Sequence, residues 1–474
     1  MLSRVLLSSR APAGSSRLGR AWLEAIATTL AAIATLLCVL AISREPASGI
    51  LAVVLCLSLS RSQLDRDRRG RIEAAFVLPA VGLFAAGVGI LLHRFPVAGA
   101  LVFSTGMFAS IWLRRFGPMA RRIGSLIALP FVTLLTVPYI PSEQPGPVPM
   151  LLLPIVVGWL ALFWVHLVHA LMQALRLLPP VSHAPFVPAP RPESSLRPIA
   201  STRMAIQMAV ALLLSFAVGY VAFPQHWSWV VLTAFIVNSG NRGRLDVAHK
   251  SILRVLGAAA GTLVALLLGV HLGLDGHVQV VLILVAVFLG IWLRPLGYGW
   301  WALFVTVALA LLQNFAGVPA AQTMWPRLEE IVVGAMIGVA TAWFVLPVRS
   351  TDILRRRIAD ALAALATTLD RQSSSAGKPD AFIAALHAVE QVAPAFRATR
   401  HIAHRVRSEC PAEWIEVLLD CQEPGARLIE QGHASPNVQR ALAHARRSMR
   451  EPEQILPALQ QLRACLHERE DSLS

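Results

Sequence analysis

Charge is scarce in this sequence. Asp, Glu, Lys and Arg make up 15% of its 474 residues, where a soluble domain carries roughly 25%. That shortage excludes an ordinary soluble enzyme and points to a polytopic membrane protein. Acids are scarcer than bases, 27 against 42, and lysine is nearly absent, represented only by Lys250 and Lys378. Cysteine is sparse too. Cys38, Cys56, Cys410, Cys421 and Cys465 are odd in number and widely spaced, with no CxxC pair. They form neither a disulfide framework nor a zinc site. No GxxxxGK[ST] loop, HExxH pair or GxSxG elbow occurs, so no nucleotide-hydrolysing, zincin or α/β-hydrolase chemistry is indicated. The expectation is no catalytic residues, no metal and no cofactor.

Apolar length is abundant. Hydrophobic residues are 55% of the chain and mean hydropathy is +0.60. Twelve apolar runs are expected as membrane helices: 21–43, 46–60, 73–93, 95–113, 122–141, 150–171, 204–223, 225–239, 251–271, 277–293, 298–316 and 329–347. A spanning helix needs about 20 apolar residues. Basic loops alternate with nearly uncharged ones. The tail 1–20, RSQLDRDRRGR (61–71), RRFGPMARR (114–122), the linker 172–203, NRGRLDVAHKSILR (241–254) and the segment after Pro347 are rich in Arg. The opposite set holds only Arg44, Arg94 and Arg327. Twelve helices with both ends in the cytoplasm satisfy the positive-inside rule. The net charge of +15 therefore reads as topology and not as a nucleic-acid surface.

Short matches suggest a duplication. IWLRRFG (111–117) returns as IWLRPLG (291–297), and IVVG (155–158) returns as IVVG (331–334). Two parallel six-helix repeats, 21–171 and 204–347, are expected, joined by the Pro-rich linker 172–203. From 348 to 474 the pattern becomes amphipathic, with Ile353, Ile358, Leu362, Leu365 and Leu369 at helical spacing. Helices are expected over 351–372, 378–407, 411–432, 435–449 and 452–469, forming a cytosolic helical domain whose exposed apolar faces would suit self-association. The fold class is thus all-α.

Candidate functional residues cluster in the second half. The runs 46–60 and 225–239 are unusually short and occupy matching places in the two repeats. Matched short segments mark binding sites in repeat transporters. Trp227 and Trp229 lead the second of them and could stack an aromatic substrate, or serve as ordinary interfacial belt residues. Arg242, Arg244 and Arg254 could draw an anion to a cytoplasmic mouth, or only set topology. The polar groups Gln207, Thr233, Asn238, Gln313 and Asn314 lie within helices. They could coordinate substrate or tie helices together. Gly257/Gly261 and Gly334/Gly338 are GxxxG pairs suited to close helix packing. His166 with His169 reads as an interfacial pair more readily than as a proton relay, and His401 with His404 as part of a solvated face. Glu24 and Glu73 sit near helix starts, and Glu329 and Glu330 are expected at the outer end of the last helix. No acid falls at mid-membrane.

The order Trp229-x-x-Leu232-Thr233, then a basic loop, then Arg254-x-x-Gly257-x-x-x-Gly261 resembles the fusaric-acid-resistance-like family of inner-membrane proteins, which includes aromatic acid exporters. Ala258 stands where the family often has Thr. The resemblance is best over 204–347. Family members often carry a larger cytosolic domain between two membrane halves, whereas this chain has only the linker there. The resemblance implies proton-driven export of small aromatic or organic acids across the bacterial inner membrane, with a periplasmic adaptor as a further partner. Two other readings stand beside it: a non-transporting scaffold whose C-terminal helices recruit partners, and a membrane-embedded enzyme acting on lipid. The missing polar catalytic cluster disfavours the last.

Overall fold

The structure, a computed structural model, describes residues 13–43, 46–62, 68–116, isolated positions from 120 to 135, 152–178, 200–272, 276–315, 320–370, 379–406, 410–431 and 435–471. The start of the tail, most of the expected helix 122–141, the linker from 179 to 199, and the side chains of Gln313, Asn314, His401 and His404 lie outside the described residues.

Among the described residues every regular element is helical. Apolar runs form α1 (Ala13–Ile42), α2 (Pro46–Ser62), α3 (Arg68–Arg94), α4 (Pro96–Trp112) and α5 (Leu153–Ala174). After residue 199 come α6 (Ala200–Ala222), α7 (Trp227–Asn238), α8 (Arg244–Leu272), α9 (Gly276–Trp292), α10 (Tyr298–Phe315) and α11 (Ala320–Phe344). Six described helices are long and apolar enough to cross a membrane: Leu18–Ile42, Arg71–Arg94, Pro96–Phe116, Leu153–Ala174, Ala200–Ala222 and Arg244–Leu268. Their outward faces carry bare apolar side chains, including Phe76, Phe84, Leu101, Trp159, Phe163, Val221 and Leu263. Such a surface is costly in water and favourable in lipid. The chain is an integral membrane protein.

The described residues divide into two compact units. One takes in those of Met1–Val181, Pro192–Ser239 and Lys250–Leu346; the other takes in those of Gly240–His249 and Pro347–Ser474. In the first unit α1 packs on α2 and α5, and α2 on α5; likewise α6 packs on α7 and α11, and α7 on α11. The two sets touch through α4 on α6 and α1 on α9. Phe103 meets Phe216 edge-on at 5.5 Å at the first of these contacts, and Trp22 meets Trp292 at 4.7 Å at the second.

The second unit comprises α12 (Ser350–Asp370), α13 (Asp380–Glu390), α14 (Ala393–Val406), α15 (Pro411–Asp420), α16 (Gln422–Gln431), α17 (Pro436–Ser448) and α18 (Pro452–Asp471). Leu354, Ile358, Leu362 and Leu365 on α12 meet Phe382, Trp414, Ile429, Val438 and Leu459 in one core. Two expected helices are each broken in two. The run 378–407 stops at Gln391 and Val392, and the run 411–432 turns at Cys421. A proline follows each break, Pro394 and Pro424, inside the first turn of the next helix. There its missing N–H is harmless, whereas in a continuous helix it would remove a hydrogen bond.

The segment Gly240–His249 belongs to this unit. Gly243 has φ +105°, and a Cβ there would lie 2.6 Å from Ser350 Oγ. Both the left-handed backbone and the space demand glycine. The N–H of Arg244 donates to the Val348 carbonyl (3.1 Å) and that of Leu245 to Ser350 Oγ (3.0 Å).

Burial pushes the Cys421 thiol up to about 12, with Asp420 adding to the effect, so it stays protonated and unreactive while the unit is closed. Phe382→Ala removes a fully buried ring and is expected to cost about 3–5 kcal/mol. Alkylation of Cys421 in the full chain, followed by peptide mass spectrometry, should then accelerate by about a hundredfold or more.

Candidate functional site

The short helix α7 has 12 residues, ten of them buried. A helix of about 18 Å does not cross a bilayer core of about 30 Å. A helix apolar on all sides is enclosed by protein, and α7 is enclosed by α6 and α11. Trp229 and Thr233 share one of its faces, four residues apart. α11 presents a matching stripe: Arg327, Glu330, Gly334, Gly338 and Thr341, at intervals of three and four.

The glycines of that stripe set the distance between the helices. A Cβ on Gly334 would lie 2.5 Å from the Val230 carbonyl oxygen and 2.9 Å from Thr233 Cβ. One on Gly338 would lie 2.5 Å from Val237 Cγ2 and 2.9 Å from Asn238 Nδ2. No side chain fits at either point without movement. Contacts advance in the same direction along both helices, so α7 and α11 run parallel. Gly257 and Gly261 do the same for α8 against α10. Their Cβ atoms would meet the Gly299 carbonyl at 2.7 Å and the Leu303 carbonyl at 2.5 Å.

This approach lays the Arg327 guanidinium on the indole of Trp229, with Cζ 3.9 Å from the ring centroid. Arg327 is 2% exposed. A desolvated cation on an indole face is worth about 2 kcal/mol. Arg254 on α8 is 1% exposed, its charge acts on Arg327, and its Nε has no acceptor. Glu330, one turn beyond Arg327, is 1% exposed and interacts with Arg327. Its Oε1 is 3.8 Å from Nδ1 of His226, whose side chain is 44% exposed. Glu330 Oε2, Thr233 Oγ1 and Asn238 Oδ1 are buried without hydrogen-bond partners. Among the described residues the buried Arg327 guanidinium thus meets an aromatic plane, interacts with a second buried guanidinium and with the buried Glu330 carboxylate, and has buried polar atoms without hydrogen-bond partners nearby.

The last helix corrects the sequence reading. It begins at Ala320 and not at 329, and it runs through Pro326. Arg327, Glu329 and Glu330 are therefore inside a helix of 25 residues, where a loop residue and a helix end were expected. Pro326 is the seventh residue of the helix, past the first turn where a proline is harmless, so it forgoes a backbone hydrogen bond, and packing on α7 carries α11 past it. The stripe in phase with Gly334 and Gly338 was the signal that could have found Arg327 and Glu330.

The other candidates are dispersed. Trp227 turns away from Arg327 toward Tyr220 (5.3 Å) and Phe216 (5.4 Å). It borders a cavity of about 270 Å³ with Gly89, Leu92, His93, Pro96, Leu134, Tyr220 and Pro224. Asn238 Nδ2 donates to the Ala234 carbonyl of its own helix (3.0 Å). The Gln207 amide donates to the carbonyls of Val345 (2.9 Å) and Leu346 (3.2 Å), closing the C-terminus of α11. Arg242 and Arg244 are in the second unit: the Arg242 guanidinium donates to the Gln391 carbonyl (2.8 Å), and its N–H donates to the Asp246 carboxylate (3.0 Å). His169 Nδ1 is 2.7 Å from the Val165 carbonyl of its own helix. Among the described residues no three His, Cys, Asp or Glu side chains gather to hold a metal.

Residues 206–341, which contain this cluster, match the family described as fusaric acid resistance protein-like. The resemblance carried by Trp229, Thr233, Arg254, Gly257 and Gly261 therefore holds. The chain is 26% identical over 161 residues to the inner membrane protein YccS of Escherichia coli (strain K12), covering 33% of this chain and 20% of that protein. It is 23% identical over 186 residues to the uncharacterized protein YhfK of the same organism, covering 38% of this chain and 25% of that one. The matched regions span a quarter or less of those relatives' lengths. No solved structure matches the chain.

Gly334→Ala must push α7 and α11 apart and is expected to cost about 1–3 kcal/mol. Gly158→Ala, where a Cβ meets nothing within 4 Å, should be neutral or slightly stabilising, since alanine suits a helix better. Thermal unfolding midpoints of the two detergent-solubilised variants check the contrast.

Proposed function

We propose, for a chain whose residues 206–341 carry a fusaric acid resistance protein-like domain, that this is a membrane transporter exporting small organic anions, aromatic carboxylates foremost. One observation carries the reading: Arg327 is buried on the face of Trp229, within reach of the buried Arg254 guanidinium and of the buried Glu330 carboxylate. Buried positive charge in a low dielectric attracts an anion. Guanidinium pairs with carboxylate in two-point geometry, and an indole offers a plane for an aromatic ring.

The transport path proposed here runs along α7 and includes Trp229, Thr233, Asn238, Arg254, Arg327 and Glu330. Trp227 and its cavity form a vestibule on the same side as His226. An inside-negative potential favours anion efflux by about 2.3 kcal/mol per charge per 100 mV. The proton gradient, the bacterial inner membrane and a periplasmic adaptor belong to the same proposal, on the strength of the family resemblance.

The membrane architecture proposed is twelve helices in two parallel six-helix repeats, with both termini and the 348–474 domain cytosolic. Matched helix pairings support it. If α1, α2, α4 and α5 correspond to α6, α7, α9 and α11, then α1–α2, α1–α5, α2–α5 and α4–α6 become α6–α7, α6–α11, α7–α11 and α9–α1. All eight pairings occur. The Leu113–Phe116 and Arg294–Leu296 turns after α4 and α9 are also alike, both 3₁₀.

A scaffold role is the second reading. It is favoured by the independent core of the C-terminal unit and by the use of Arg242 and Gly243 to fasten the basic loop onto that unit.

Efflux of radiolabelled benzoate from proteoliposomes separates the two. Arg327→Gln and Arg254→Gln should each lower the efflux rate by at least about tenfold, the scale of losing a desolvated charge contact. Trp229→Phe should keep more activity than Trp229→Ala. A wild-type rate no higher than in empty liposomes, for benzoate and for a panel of other organic anions, would return the protein to the scaffold reading.

A further inference from the structure

The helix α17 turns one side into the core of the C-terminal unit and the other out of it. Val438, Ala441, Leu442 and Ala445 are buried. On the exposed side Arg440, Ala443 and Arg447 follow at intervals of three and four, and Gln439, Ala443, Arg446 and Arg450 follow at the same intervals beside them. Four exposed arginines thus share one face. Among the described residues none of the four pairs with an acid. Arg440 donates to the Pro436 carbonyl (3.4 Å) and to Asn437 Oδ1 (2.7 Å), and Arg447 to the Ala443 carbonyl (3.3 Å), all neutral acceptors of the same helix. Elsewhere in the unit exposed arginines have acidic partners: Arg397 with Glu416, Arg400 with Glu413, Arg427 with Glu423 and Arg463 with Asp420.

The sequence keeps both acids and aromatics out of this stretch. No Asp, Glu, Phe, Tyr or Trp occurs from 431 to 450. The helix dipole favours cations in a last turn, which accounts for Arg446 and Arg447 but not for Arg440 earlier in the helix. A face of unpaired arginines suits an anionic partner. Without aromatic rings it offers no stacking platform to single-stranded nucleic acid. Its exposed positions carry no large apolar side chain to insert among acyl chains. Phosphate headgroups require neither, and a guanidinium meets a phosphate at two points.

We propose that the face formed by Arg440, Arg446, Arg447 and Arg450 docks on the anionic phospholipid headgroups of the membrane that this chain spans. The chain itself keeps that partner close. Only residues 345–349 separate α11 from α12, so the bilayer is present at high effective concentration for this unit. Arg355, in the second turn of α12, donates to the Met449 carbonyl (2.9 Å), which ties the basic end of α17 to the start of α12. Each arginine near an anionic leaflet strengthens attachment about fivefold. The inference holds whether or not the membrane unit transports.

The experiment places the full chain in nanodiscs of phosphatidylcholine alone, or of an equal mixture of phosphatidylcholine and phosphatidylglycerol. Phenylglyoxal modification of each arginine is followed by peptide mass spectrometry. In the anionic lipid Arg440, Arg446, Arg447 and Arg450 should react about fivefold more slowly, while Arg397 and Arg427 keep their rates. The difference should vanish at about 1 M salt, where charges are screened beyond about 3 Å. Arg446→Gln with Arg447→Gln should release Arg440 and Arg450 from protection, and the corresponding double Lys variant should keep them protected. Slow alkylation of Cys421 shows that the unit stays closed in both variants.

Equal wild-type rates in the two lipids overturn the proposal, as does slowing that extends equally to Arg397 and Arg427. Protection of the four arginines in neutral nanodiscs by an added oligonucleotide or acidic peptide, without protection by phosphatidylglycerol, would assign the face to a soluble polyanion and overturn it as well.

Discussion

A guanidinium within a membrane helix bundle cannot rely on water, and the geometry of the second membrane half follows from how Arg327 is held. Its holder is the face of Trp229 at 3.9 Å. For an indole to reach that place, α7 has to be an interior helix. Its 12 residues are too few to cross lipid and apolar enough to be enclosed on every side. For α11 to reach α7, the stripe below Arg327 has to be nearly without side chains, and Gly334 and Gly338 meet that need with only 2.5 Å to spare for a Cβ. The cation, the short helix and the glycine pair are thus one construction. Removing any of the three leaves the others without their reason.

Much of this was legible from residue type and spacing. The brevity of the 225–239 run, the leading tryptophans, Arg254 and both glycine pairs could be picked out from the chain. So could the periodic leucines of α12, where Leu362 and Leu365 reach the core and Ile353 and Leu369 lie at its edge. Arg327 and Glu330 were not found, for a physical reason. A proline followed by three charges in four residues looks like a loop when charges are counted by topology. Helix continuation through Pro326 is decided by tertiary packing, because α7 supplies the partner that makes the buried stripe worthwhile. The break between α13 and α14 escaped for the opposite reason. There the helical period continues across the turn, and only the nearby Pro394 marks it.

The basic loop illustrates how one set of residues serves two physical demands. Positive charge between apolar runs fixes orientation, and the same arginines were candidates for an anion-collecting mouth. Instead, the Arg242 guanidinium is committed to a backbone carbonyl of Gln391, and Gly243 lies against Ser350. Sequence spacing cannot reveal such commitments, since Gln391 lies 149 positions away. What remains for the transport reading is Arg254, farther along the chain. It is one of the most completely buried large side chains in the protein.

The energetic character of the Arg254, Arg327 and Glu330 cluster bears on what it is for. Replacing buried ionic groups with apolar side chains of similar volume is often neutral or stabilising, and the neighbourhood is already apolar: Val230, Val231, Leu232 and Ile331 are all buried. Stability alone would be served as well by leucine. The Nε of Arg254 and Oγ1 of Thr233 are buried without hydrogen-bond partners. On the transport reading, a carboxylate entering the cluster supplies the acceptor that Arg254 Nε lacks. A helix bundle that keeps such groups in its interior sacrifices stability where local packing rules fail, and such places are where function is expected.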